Sequence, residues 1–341
     1  MKVVLNILVA SLLLCAALAG APVQGQTVQP KPKAIGEKQA EELLGAVVRV
    51  KARALPDARS SASLGSQREG SGVIIDDRGY ILTIGYLVIE ADAIEVTTAA
   101  GKTSPATLAA YDHASGFGLL RAALPLGAKP IGLGTSAQLA LREPVMVAPH
   151  GGRDSVNLAY VVSKRQFAGS WEYLLDNAIF ISPPTLAWAG SALISREGKL
   201  VGIGSLLVRD SEQTGTPLPG NMFVPVDLLK PILADLIDRG RVSGPPRPWL
   251  GMATEELQGR LFVTRVSPEA PADKAGVQRG DIVVGVGADE VSTQVELYRK
   301  LWSLGPAGTE VPLKVLQGAS VKEIRVRSID RTEYFRAKPT L

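Results

Sequence analysis

The sequence predicts a mainly β protein in two parts, an all-β barrel or sandwich followed by a small α+β domain. Three observations carry this. Between Val47 and Leu207 short β-type runs recur, separated by Gly, Pro, Asp and Ser turns, which is the rhythm of a barrel or sandwich. Gly244-Pro245-Pro246-Arg247-Pro248 is a linker by composition. From Trp249 onward the pattern becomes strands, a short helix, strands, a longer helix and strands.

The elements follow in order. Lys2, an apolar run from Val3 to Ala19 and the small-residue site Ala17-Leu18-Ala19 make an export signal, with cleavage expected after Ala19. Residues 1–25 are therefore assigned to the signal and its cleavage region, and a retained anchor is the alternative. The run is short for a spanning helix, so no stable membrane span is expected after cleavage. Residues 26–36, in a stretch rich in Pro, Gln, Thr and Lys, read as a flexible tether. A helix is expected from Glu37 to Ala46, with Ala40, Leu43 and Leu44 on one side. Strands are expected at Val47–Val50, Val73–Ile75, Tyr80–Thr83, Ile94–Thr98, Leu119–Leu120, Val145–Val147, Tyr160–Ser163, Ala178–Ile181 and Leu200–Leu207, with a Ser/Ala-rich loop over 53–68. Asp227 to Arg239 carries apolar residues at helical spacing and ends at Gly240. These boundaries give a first domain over 37–240, a linker over 241–248, a second domain over 249–330 and a tail over 331–341. In the second domain helices are expected at Pro271–Ala275 and Thr293–Trp302, and the last strands at Val311–Leu316 and Glu323–Ser328.

Composition narrows the function. The 341 residues carry 37 Lys+Arg against 33 Asp+Glu, a net charge of +4 with the signs interspersed; a dedicated nucleic-acid partner is not indicated. Cys15 is the only cysteine, and His113 and His150 are the only histidines. Zinc sites built on cysteine pairs, internal disulfides and cysteine-pair redox chemistry are thereby excluded, and no cofactor is expected.

Gly70-Ser71-Gly72-Val73-Ile74-Ile75 followed by Gly79-Tyr80-Ile81-Leu82-Thr83 resembles the opening of the HtrA/Deg secreted serine proteases. Asn221-Met222-Phe223-Val224-Pro225-Val226-Asp227, and Gly240-Arg241-Val242 before Trp249-Leu250-Gly251-Met252, resemble the same family. The similarity covers roughly residues 38 to 330. It implies a chymotrypsin-like double β-barrel followed by one PDZ domain, and a periplasmic location.

At the family's catalytic positions this sequence departs. The stretch matching the family's histidine motif is Thr83-Ile84-Gly85-Tyr86-Leu87-Val88, which puts Tyr86 at the histidine. Gly116-Phe117-Gly118-Leu119-Leu120 puts Gly116 at the aspartate, and Trp188-Ala189-Gly190-Ser191 puts Ala189 at the serine. Acyl transfer needs a nucleophile, a base and a group that orients the base. Alanine has no nucleophilic atom, a phenol is a poor base at neutral pH, and glycine orients nothing. No catalytic residue is therefore expected, and Trp188 crowds the oxyanion turn. Ser191, His113 and His150 are the possible substitutes. Each reads first as a turn or loop residue, His113 as a solvated one. Arg279-Gly280-Asp281 and Asp76-Asp77-Arg78-Gly79 read as turns into strands rather than as an adhesion motif or a calcium site.

The second domain keeps its equipment. Trp249, Leu250, Gly251 and Met252 resemble the family's carboxylate-binding loop, where backbone N–H groups bend around an anion and a peptide C-terminus adds as a strand. In the following helix, Leu297/Leu301 or Tyr298/Trp302 should face the core. The expected partners are peptides or unfolded proteins with free C-termini, or an active protease relative. Family trimers use aromatics near the barrel's N-terminus; residues 20–79 have none, so the family trimer is expected to be weakened, or rebuilt from aliphatics such as Leu43, Leu44 and Val47. The reading is an exported HtrA-like pseudoprotease that binds polypeptides through its PDZ domain and barrel cleft, in a chaperone-like or regulatory role in envelope protein quality control. The alternatives are an endopeptidase with displaced catalytic residues and an adaptor using only its PDZ groove.

Overall fold

A computed structural model describes residues 36–335; the signal and nearly all of the tether lie outside these residues. The first barrel follows helix α1 (Glu37–Gly45) and comprises β1 (Val47–Ala54), β2 (Gln67–Ile74), β3 (Tyr80–Ile84), β4 (Ala91–Thr97), β5 (Thr103–Tyr111) and β6 (Phe117–Ala122), with a short helix α2 (Ser61–Leu64) between β1 and β2. The second comprises β7 (Pro144–Ala148), β8 (Asn157–Gly169), β9 (Tyr173–Ser182), β10 (Ala192–Ile194), β11 (Leu200–Val208) and β12 (Gly220–Pro225), followed by helix α3 (Leu233–Arg239). Each closes on itself, in the orders β1-β2-β3-β6-β5-β4 and β10-β11-β12-β9-β8-β7, which leaves no exposed strand edge.

Alternation along the strands explains closure. In β1 the burial runs Val50, Ala52 and Ala54 inward against Lys51 and Arg53 outward, the period of a half-buried strand. One apolar cluster spans both barrels, and a second fills the far half of the second barrel around Ile179, Ile181 and Phe223. Leu43, Leu44 and Val47 belong to the first cluster, buried within the single chain. They are consumed by the core and so do not supply the trimer surface expected of them.

The C-terminal domain pairs β13 (Met252–Leu257), β14 (Arg260–Val266), β15 (Ile282–Val286), β17 (Glu310–Gln317) and β18 (Ser320–Arg327), with β16 (Asp289–Glu290) beside β15. Helix α4 (Pro271–Lys274) and helix α5 (Gln294–Ser303) pack on this sheet, α5 opening with a capping box of Thr293 and Glu296. Leu297 and Leu301 are core, as is Tyr298, while Trp302 lies partly exposed under the Arg247 guanidinium, 4.4 Å from the ring centroid.

Three differences from the sequence reading have plain causes. The helix expected over Asp227–Arg239 is a 3-10 turn at Val226–Leu228 and then α3; Pro231 between them has no N–H and cannot continue a helical ladder. Residues 53–68 are not all loop, because β1 runs to Ala54, α2 intervenes and β2 starts at Gln67. The first residues of the expected tail, Arg331–Tyr334, form a short helix α6 whose Tyr334 packs on Trp249 at 4.8 Å and donates to the Pro268 carbonyl.

Candidate functional site

Tyr86, Gly116 and Ala189 line one cavity of about 750 Å3, together with Trp188, Tyr173 and the loop at Gly251–Met252. The structure thus gathers the three positions read from sequence. Tyr86 sits on a 3-10 turn (Gly85–Leu87) after β3 and donates its hydroxyl to the Ser205 carbonyl at 2.8 Å. Burial pushes its pKa up, so the phenol is a fixed donor and not a base. Gly116 holds φ +81°, its carbonyl accepts from the Gly85 N–H at 2.7 Å, and a Cβ there would press on the Tyr173 hydroxyl at 3.1 Å. Tyr173 itself donates to the Ser115 carbonyl at 2.6 Å. The space beside Gly116 is filled by a tyrosine, and its backbone disfavours any side chain.

The turn around Ala189 is equally committed. An oxyanion hole uses the amide of the nucleophile residue and the amide two residues before it. Here the Ala187 N–H donates to Thr185 Oγ1 at 3.2 Å. Ser191 is fully buried and donates to the Trp188 carbonyl at 2.9 Å, as a turn serine does. His113 is not solvated. Its ring lies 4.2 Å from Tyr111 and 5.7 Å from Phe335, its Nδ1 is buried without a partner among the described residues, and desolvation with the nearby Arg331 charge pulls its pKa far down. Asp281 accepts from the Gln278 N–H and Asp76 from the Tyr80 N–H, each closing the turn that precedes a strand.

One constellation was not visible in sequence. Ser71 Oγ lies 3.1 Å from His150 Nδ1, and His150 Nε2 lies 3.5 Å from Glu69. The imidazole pKa is lowered, mainly by burial, against the attraction of Glu69. Ser71, however, is 1% exposed and already accepts from the His150 N–H at 2.9 Å, and its carbonyl abuts Gly190 and accepts from Thr83 Oγ1. An acyl carbon would have to come within about 3 Å of that oxygen, and the packing around it leaves no approach.

In the C-terminal domain, the N–H groups of Leu250, Gly251 and Met252 converge on one carboxylate, as the sequence suggested, but that carboxylate belongs to the chain itself. Glu172, between β8 and β9, accepts from Leu250 at 3.0 Å, from Gly251 at 2.7 Å and from Met252 at 3.1 Å. Trp249 braces the loop: its N–H donates to the Ile329 carbonyl and its ring packs on Tyr334. Gly251 holds φ +83°, and a Cβ would collide with Ala270 and the Trp249 ring, so this position requires glycine. Glu172 is 6% exposed and itself holds φ +58°. Three-residue hairpin loops commonly need one left-handed residue, usually glycine; a glutamate there costs about 1 kcal/mol. Burial pushes its carboxyl pKa up to about 7, against the three amides and the Arg331 charge.

Two barrels closing on a cleft, joined to a domain with a carboxylate-binding loop, define a trypsin-like peptidase fold carrying a PDZ domain. Residues 70–203 match the family model described as a trypsin-like peptidase domain, and residues 248–327 match that of a PDZ domain. The chain belongs to the HtrA/Deg-type family. It is 28% identical over 280 residues to a probable periplasmic serine endoprotease DegP-like of Hahella chejuensis, covering 76% of this chain and 57% of that protein. It is 26% identical over 289 residues to the serine endoprotease DegS of Escherichia coli strain K12, covering 80% and 79%. The chain thus spans little more than half the length of the DegP-like relatives it matches. The HtrA-type protease AlgW, solved with a decapeptide, shares the fold with a TM-score of 0.53 at 18% identity over 88% of this chain and 99% of that one.

Proposed function

We propose that this protein is an exported, catalytically silent HtrA-type protein that binds polypeptides through its PDZ domain, in a chaperone-like or regulatory role in envelope protein quality control. The observation that carries the reading is the set of residues at the three catalytic positions of the cavity: Ala189 has no nucleophilic atom, Tyr86 is a fixed donor with a raised pKa, and Gly116 has no side chain to orient a base. The Leu250–Met252 amides support binding of a polypeptide carboxylate, and the AlgW structures solved with a decapeptide and with a tripeptide support peptides as the ligand class. The export signal and the relatives named as periplasmic support a periplasmic site. No described helix is long and apolar enough to cross a membrane.

A second reading, an endopeptidase with displaced residues, is favoured by the Ser71, His150 and Glu69 contacts and requires that Ser71 be uncovered for a substrate to reach it. Purified protein is expected to leave unfolded casein intact and to stay unlabelled by a fluorophosphonate probe. Labelling that disappears in Ser71→Ala but persists in Ser191→Ala would replace the silent reading with the displaced one.

A further inference from the structure

The loop that fills the carboxylate site does more than lend it one side chain. β8 and β9 pair through Gly169↔Tyr173, so the loop is Ser170, Trp171 and Glu172. Glu172 occupies the three-amide nest. Two residues earlier the Ser170 carbonyl accepts from the Thr254 N–H of β13 at 3.1 Å, a bond of the kind by which an added strand lies along a sheet edge. From the opposite wall, helix α5, the Tyr298 hydroxyl donates to the Gly169 carbonyl at 2.7 Å and accepts from the Glu172 N–H at 3.3 Å. Arg331 donates to the Trp171 carbonyl at 3.1 Å. A loop held by the nest, by the strand and by the helix together occupies the three surfaces that a bound peptide terminus would use.

Building the contact has a cost that the hairpin alone does not require. Glycine would satisfy the left-handed backbone at position 172, and an exposed glutamate would keep its water. The chain instead carries a strained residue and a buried carboxyl there, held by the three amides of the nest, with the Tyr298 hydroxyl on its N–H and the Arg331 charge nearby.

We propose that the tip of the β8–β9 hairpin is an internal ligand of the PDZ groove, with the Glu172 side chain standing where a polypeptide's terminal carboxylate would lie, so that a free C-terminus binds only by displacing it. The proposal rests on the reading that the groove takes C-termini, and it adds that the resting protein is closed to them.

The test uses the whole mature protein, a fluorescein-labelled decapeptide with a free apolar C-terminal residue, and its C-terminally amidated twin. Glu172→Gly removes the carboxylate while suiting the backbone of the turn. The variant is expected to bind the free-acid peptide at least ten-fold more tightly than wild type, with most of the gain lost on amidation. Hydrogen exchange of the Leu250, Gly251 and Met252 amides, measured without peptide, is expected to quicken at least ten-fold in the same variant. Equal peptide affinity in the two proteins would overturn the proposal while leaving peptide capture standing, and so would unchanged exchange at the three amides. If exchange quickens but neither protein binds peptide, capture of C-termini falls, and displacement with it.

Discussion

Glu172 shows how a single residue can be set by opposed forces. Its three amide donors favour the ionised form, yet complete burial wins and carries the pKa up to about 7. The groups facing it are those amides, the Arg331 guanidinium and the Tyr298 hydroxyl; His113, near Arg331, stays neutral. In the docked loop the carboxyl holds its proton more tightly than it would in water. The docked state is therefore fully favoured below the ordinary carboxylate value and loses ground as the pH rises to about 7. The whole gap is worth on the order of 3 kcal/mol. Comparing the two proteins at about pH 5 and about pH 8, the affinity advantage of Glu172→Gly over wild type is expected to shrink as the pH rises; an advantage that grows would contradict this sign.

At the scale of elements, Arg68 on β2 links three of them. It is 7% exposed, donates from Nη1 to the Tyr86 and Ile89 carbonyls, from Nε to Gly65 and from Nη2 to Ser60 Oγ. Burial lowers its pKa, with Glu90 opposing. Arg68→Ala removes four hydrogen bonds and the packing of the guanidinium at the wall of the cavity, and the expected loss is about 1–3 kcal/mol in chemical denaturation. Much at this scale was legible, because β1 alternates, α5 has helical spacing, β3 and β11 are continuous buried runs, and all have clear bounding turns. β5 was missed: Thr103–Tyr111 mixes Thr, Leu and Tyr with Ser104, Pro105 and three alanines, weak strand formers held by their neighbours. β10 is too short to show a pattern. The grouping of Tyr86, Gly116 and Ala189 on one cavity was legible because each motif kept its flanking hydrophobics. Glu172 in the nest and Ser71 beside His150 were not, since each pairs residues nearly eighty positions apart and neither leaves a local signal.

Across the whole molecule, the β8–β9 hairpin couples the barrels to the PDZ domain. Ala168 and Leu174, on either side of its tip, pack against the PDZ core, and Arg299 pairs with Asp176 at the exposed rim. The rim pair contributes little in water; the buried Tyr298 hydroxyl, serving both Gly169 and Glu172, contributes more. The full chain is expected to unfold in a single calorimetric transition. Tyr298→Phe keeps the ring in the core but leaves two buried groups unpaired, at a cost of about 1–3 kcal/mol each. It is expected to resolve the transition into two, a PDZ event below that of the barrels. One unchanged peak would show that the hydroxyl does not carry the coupling.

A tethered occupant also sets a threshold. Because the loop cannot diffuse away, it competes at an effective concentration on the order of millimolar, whatever the dilution of the protein. If the groove is free in one molecule of a hundred, every external terminus binds about a hundred-fold more weakly than its intrinsic affinity. Such a protein ignores the sparse C-termini of folded neighbours and fills only when chain ends accumulate, which makes its occupancy a readout of how crowded its surroundings are with unfolded polypeptide.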